Sequence, residues 1–117
     1  MSLRVAVQMD PMDGINIHGD SSLALMLSAQ ARGHRLWHYD VRSLSWEAGR
    51  LTAFAHPVHD LQRVAGAHYR FGAPARIDLG QDTDVVLMRQ DPPFDIGYLT
   101  GTWLLERIRD QTLVVND

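Results

Sequence analysis

Apolar residues gather in four short runs along this chain, and two longer stretches between them repeat at helical spacing. Leu3-Arg-Val-Ala-Val-Gln-Met9 is rich in β-branched residues and stops at Asp10-Pro11, because a residue before proline is driven out of the helical region. Asp20-Ser21-Ser22 then offers good helix caps, with Leu23, Met26, Leu27, Gln30 and Ala31 on one face behind it and Gly33 as a stop, which predicts a helix over 20–32. His34–Tyr39 reads as a second strand ended by Asp40. Glu47-Ala-Gly-Arg50 reads as a tight turn between two short strands, with Leu51–His56 on the return and Pro57 weakening the pairing there. Residues 65–83 carry Gly66, Gly72, Pro74 and Gly80 and show no clear period. Val85–Met88 is a third core strand. Ile96, Leu99, Trp103, Leu104 and Ile108 mark an amphipathic helix despite Gly97 and Gly101, and Thr112–Val115 is a fourth strand. Strand, helix and strand in succession imply right-handed crossovers and parallel pairing. The predicted fold is α/β: an open, mainly parallel sheet with helices on its faces and a β-hairpin insertion.

Composition narrows the chemistry. A chain of 117 residues is enough for one domain, and a net charge of −3 argues against broad nucleic-acid binding. Without cysteine there are no disulfides or thiolate ligands, and all 11 basic residues are arginine, which removes Schiff-base chemistry and a Walker-type lysine. No apolar run has the length of a membrane span, and the start lacks the pattern of a signal peptide, so a cytoplasmic location is expected.

Chain direction places the polar groups. In a parallel sheet the carboxyl ends of the strands share one edge, where open α/β sheets bind ligands. Asp10, Asp40, Arg89 with Asp91, and Asn116 with Asp117 follow the four strands, and helices start at that edge at Asp20-Ser21 and at Asp95. Acids, an arginine and two helix N-termini suit a zwitterionic ligand. A structural reading weighs equally: Asp20 and Asp95 as caps, and Arg89 pairing with Asp10 or Asp91 to brace two loops. Pro92 and Pro93 stiffen the turn for either purpose. His56, His59 and His68 fit surface polarity better than a zinc site, so no metal site is expected. Met26 and Met88 read as core, Trp37, Tyr39 and Trp103 as packing between sheet and helices, and Trp46 as a residue that could face a partner subunit. No Gly-x-Gly-x-x-Gly or Walker loop follows the first strand.

Gln8-Met9-Asp10-Pro11, Ile15-Asn16-Ile17, Asp20-Ser21-Ser22, Ala29–His34, Met88-Arg89-Gln90-Asp91-Pro92-Pro93-Phe94-Asp95 and Leu104–Arg107 occur in an order and spacing that resembles the N-terminal domain of bacterial glutathione synthetases, across 4–116. The resemblance implies a Rossmann-like, pre-ATP-grasp domain. It also implies an ATP-dependent ligation of γ-glutamylcysteine to glycine through an acyl phosphate, in a homo-oligomer. ATP and Mg2+ would bind an ATP-grasp region C-terminal to residues 1–117, so this fragment would be inactive alone, with no catalytic residue and no bound cofactor of its own. Arg89 would be the substrate-site residue, with Asp10, Ser21 and Ser22 at the same edge. Asp91, Pro92, Pro93, Asp20 and Asp95 would serve as turn or cap. His18-Gly19 stands where the family often carries lysine. A stand-alone α/β binding or oligomerisation module, or the leading domain of another ATP-grasp ligase, are the alternatives.

Overall fold

A computed structural model describes residues 2–89 and 96–116. The strands are β1 (Arg4–Gln8), β2 (Arg35–Tyr39), β3 (Ser45–Glu47), β4 (Arg50–His59), β5 (Arg70–Phe71), β6 (Ala75–Asp78), β7 (Val85–Met88) and β8 (Leu113–Asn116). The helices are α1 (Ser21–Ala31), the single turn α2 (Leu79–Asp82) and α3 (Ile96–Glu106). Among the described residues the strands form one sheet with main path β3-β4-β2-β1-β7-β8. Its centre is the expected parallel array: β1 lies between β2 and β7, and β8 pairs with β7.

Strand alternation builds two cores. Val5 and Val7 of β1 face one side, where Leu36, Leu23 and Met26 join them and α1 packs. Ala6 faces the other side with Tyr39, Val86 and Met88, where Leu105 of α3 and Ile108 just beyond it pack. The helices therefore cover opposite faces, as read from the sequence. Asp20 caps α1 by accepting from the Leu23 N–H at 2.9 Å. The helix ends in a Schellman arrangement: His34 N–H reaches the Ala29 carbonyl and Gly33 N–H the Gln30 carbonyl, each at 3.0 Å, with Gly33 at φ +79°.

The antiparallel flank meets the expectation for Pro57 on one side only: pairing to β5 and β6 lapses at residues 56 and 57, while pairing to β2 continues. β4 is ten residues long and runs straight through the proline. The reason is directional. Pro57 is opposite Trp37 of β2, but its carbonyl accepts from Gly72 N–H on the other side, at 2.8 Å. In an extended residue the nitrogen points the same way as the carbonyl, so the missing donor faces the gap between β5 and β6 and costs no bond to β2. Residues 65–83, unreadable by period, supply β5, β6 and α2 against this long strand. The Thr112 hydroxyl, bonded to the Leu79 and Thr83 carbonyls at 2.9 and 3.1 Å, ties α2 to the start of β8.

The turn predicted at Glu47–Arg50 is present as the β3–β4 hairpin, with Ala48 at φ 50° and Gly49 at φ 78°. Two positive φ angles are the type I′ pattern, which asparagine suits better than alanine at the first position. Ala48→Asn is expected to raise the unfolding free energy by about 0.5–1 kcal/mol, measured as a higher urea midpoint at unchanged slope.

Trp103 corrects the sequence reading: it is 66% exposed and does not pack against the sheet. The buried stripe runs instead through Gly101, Leu105 and Ile108, and Trp103, two residues on from Gly101, falls on the far side of the helix. Trp46 is partly exposed, with the Arg107 guanidinium 5.4 Å from its ring centre. On the α1 side, the end of the sheet has no cover among the described residues: Leu113 is 62% and Val115 38% exposed. They stand opposite Val85 and Leu87 of β7. No described helix is long and apolar enough to cross a membrane.

Candidate functional site

The strand order creates a switch point at the carboxyl end of β1. From β1 the chain crosses through α1 to β2 on one side, while its other neighbour, β7, leads through α3 to β8 on the opposite face. Open α/β sheets bind ligands at such a switch point.

Arg89 stands at this switch point. Its backbone N–H donates to the Gln8 carbonyl at 2.8 Å, extending the β1–β7 ladder by one residue and fixing where the side chain begins. The side chain then crosses to the first turn of α1. Nε donates to Ser22 Oγ at 3.2 Å, and Nη2 donates to Ser21 Oγ. Ser22 is buried and Ser21 is exposed. The first-turn N–H groups of a helix have no intrahelical partners, and the helix end carries partial positive charge, so α1 adds to the guanidinium field here. A guanidinium beside a helix start is an arrangement that suits a carboxylate or a phosphate, and the Asp20 carboxylate that caps α1 opposes part of that charge.

Three of the four expected site residues thus come together: Arg89, Ser21 and Ser22. Asp10, the fourth, lies on the loop after β1, and its carbonyl accepts from His38 Nε2 at 3.0 Å. Asp20 is the helix cap expected of it. Asp40 is committed locally: it caps the turn at Val41–Ser43 and pairs with Arg42 at 2.9 Å. The Arg42 side-chain hydrogen bond holds its carboxyl below the usual range. Asp91, Pro92, Pro93 and Asp95, read as turn and cap, lie outside the described residues, as does Asp117.

The histidines expected near one another are separated. His56 stacks on Phe71 at 4.6 Å between ring centres. His59, three positions along the same strand, falls on the opposite face by alternation. His68 is buried, with Nε2 donating to the Met12 carbonyl at 2.8 Å and Nδ1 without a partner among the described residues. Among the described residues no three His, Asp or Glu side chains are placed to hold a metal ion.

His38 is the member that sequence reasoning missed. It is buried on the same face as Leu36, two residues away in β2, and that spacing was the available signal. Burial pushes its pKa below the ordinary histidine value, outweighing the bond to Asp10; the nearby His56 lowers it further and Asp40 opposes this. The folded state therefore binds this proton less well than the unfolded chain. The His38 contribution is full above pH ~6.5 and is lost as pH falls toward the folded pKa, with a slope of at most about 1.4 kcal/mol per pH unit. Urea unfolding from pH 7.5 to 5 should show that loss, and His38→Gln should flatten it.

A hollow of 940 Å³ lies elsewhere, at the amino ends of β1 and β2, and is lined by Arg4, His34, Arg35 and Trp37 among others. The Arg89 end of the sheet differs from that hollow in lying at the carboxyl ends of the strands and beside a helix start.

Comparison with known proteins gives one consistent answer. Residues 3–117 match the family model described as prokaryotic glutathione synthetase, N-terminal domain. The chain is 51% identical over 117 residues to a protein named glutathione synthetase from Brucella melitensis, covering all of this chain and 37% of that protein. It is 50% identical to the protein of the same name from Rhodopseudomonas palustris, again with 100% and 37% coverage. A more distant one, from Vibrio parahaemolyticus, is 38% identical over 97% of this chain and 36% of its own length. The chain thus spans little more than a third of the relatives it matches.

Proposed function

We propose that this chain, which belongs to the prokaryotic glutathione synthetase N-terminal-domain family, forms the substrate-binding side of a ligase that joins γ-glutamylcysteine to glycine. The observation that carries the reading is Arg89, anchored by its backbone to β1 and by its side chain to the first turn of α1, at the sheet's switch point. A guanidinium meets a carboxylate through parallel N–H bonds, and γ-glutamylcysteine presents carboxylates at both ends of a short flexible peptide. Holding one of them fixes the peptide and leaves the other for activation.

The activating group is ATP with Mg2+, which supplies the phosphoryl group when bound. The residues of this chain do not fit it. There is no lysine, and no Gly-x-Gly-x-x-Gly opens the connection after β1. No step of phosphoryl transfer is assigned to this chain. We assign residues 1–117 to one substrate-side domain, and the nucleotide chemistry to an ATP-grasp region of the full-length protein. A cytoplasmic homo-oligomer completes the reading.

The test is turnover by the full-length protein with Mg·ATP. ADP release should require γ-glutamylcysteine and glycine together and yield glutathione. Release that ignores γ-glutamylcysteine, or a preference for another peptide and amine, would overturn the assignment. Residues 1–117 alone should release no ADP under the same conditions.

A further inference from the structure

We infer that Ser22, assisted by Ser21, is a positioning residue for Arg89 and not a substrate contact; this rests on the substrate reading of Arg89 given above. An arginine side chain has four rotatable bonds before its planar head, and an unrestrained head sweeps a wide volume. Two hydroxyls on consecutive residues of α1 stop that motion. Ser22 Oγ takes the Nε proton at 3.2 Å, and Ser21 Oγ takes a proton of Nη2. Nε and Nη2 lie on the same edge of the guanidinium, so the pair fixes both the position and the plane of the head.

Burial separates the two serines. Ser22 has 7% of its surface exposed and sits beneath the arginine, beside the core residues Leu23 and Met26. It is a nearly buried hydroxyl, and its described side-chain bond is to Arg89. Ser21 is exposed and closes the outer side. The serines ride on a helix capped by Asp20, and the arginine backbone is locked to β1, so two rigid elements are registered against each other through one guanidinium. Pre-set geometry lets the carboxylate bind without first ordering the arginine, which otherwise weakens binding. The effect appears in substrate affinity and not in the chemical step.

The test is a double-mutant cycle in the full-length protein. Ser22→Ala should raise KM for γ-glutamylcysteine about three- to tenfold, with kcat and KM for glycine changed less than twofold. Ser22→Ala on top of Arg89→Ala should add nothing, because the serine acts through the arginine. An equal rise in both backgrounds would overturn the inference in favour of a direct contact or a general effect on the fold. No rise from Ser22→Ala, while Arg89→Ala raises KM, would overturn it and leave the substrate reading of Arg89 standing. No rise from Arg89→Ala itself would remove that reading and this inference with it. Should Ser22→Ala fail to fold, the exposed Ser21→Ala provides the same cycle, with a rise that disappears in the Arg89→Ala background as the supporting result and its persistence as the opposing one.

Discussion

Arg89→Ala in the full-length protein is expected to raise KM for γ-glutamylcysteine by about ten- to a hundredfold, with a smaller change in kcat. A charge-assisted hydrogen bond contributes roughly 1.5–3 kcal/mol, which is that range of affinity. Arg89→Lys should recover little, because an ammonium lacks the planar head that the two hydroxyls hold. The competing role is a brace. Its side chain joins the end of β7 to the start of α1, two elements that are far apart in sequence, and removing it loosens that junction whether or not a ligand binds there. The two roles part in measurement: unchanged kinetics with a lowered melting temperature would mark Arg89 as the brace only.

The largest effect on stability is expected at Gly101. It lies on the sheet-facing stripe of α3, and an added Cβ would stand 2.5 Å from Val41 Cγ2 and 3.2 Å from Gln8 Nε2. Neither neighbour has much freedom. Gln8 is fully buried and accepts from the Tyr39 hydroxyl at 2.8 Å, and Val41 begins the turn that Asp40 caps. Gly101→Ala gains about 1 kcal/mol of helix propensity and loses about 1–3 kcal/mol to overpacking. Gly101→Val has a smaller offset and should lose about 3 kcal/mol or more, since a β-branched residue is a poorer helix former than alanine and adds two further carbons at the contact. Thermal unfolding of the pair checks the order. Val41→Ala should restore much of the loss in Gly101→Ala, because the clashing atom is the one it removes; failure to rescue would place the strain on Gln8.

The helix 20–32 was legible because its signals are local: Asp20 at one end, Gly33 at the other, and a stripe between. The four parallel strands were legible for the same reason. Pro57 was legible as an interruption but not as a one-sided one, because which side its nitrogen faces depends on which strands flank β4. Trp103 misled because a large apolar residue in a helix suggests burial, whereas the close approach of α3 to β1 at Gly101 selects a different stripe. At the site, Arg89, Ser21 and Ser22 could each be placed at the carboxyl edge from chain direction. Their contact could not, because it follows from β7 lying next to β1. His38 carried only its alternation with Leu36, a pattern that any half-buried strand shows.

The bare end of the sheet sets how this protein behaves in a tube. β8 ends the strand path, and Leu113 and Val115 turn outward from it without cover among the described residues. An uncharged, largely apolar strand at the end of a sheet is a template on which another copy can add a strand, and growth of that kind is favoured by heat, concentration and salt. Turbidity on warming a concentrated solution of residues 1–117 should therefore precede loss of the helical signal. Leu113→Lys should delay the turbidity while leaving the unfolding midpoint nearly where it was.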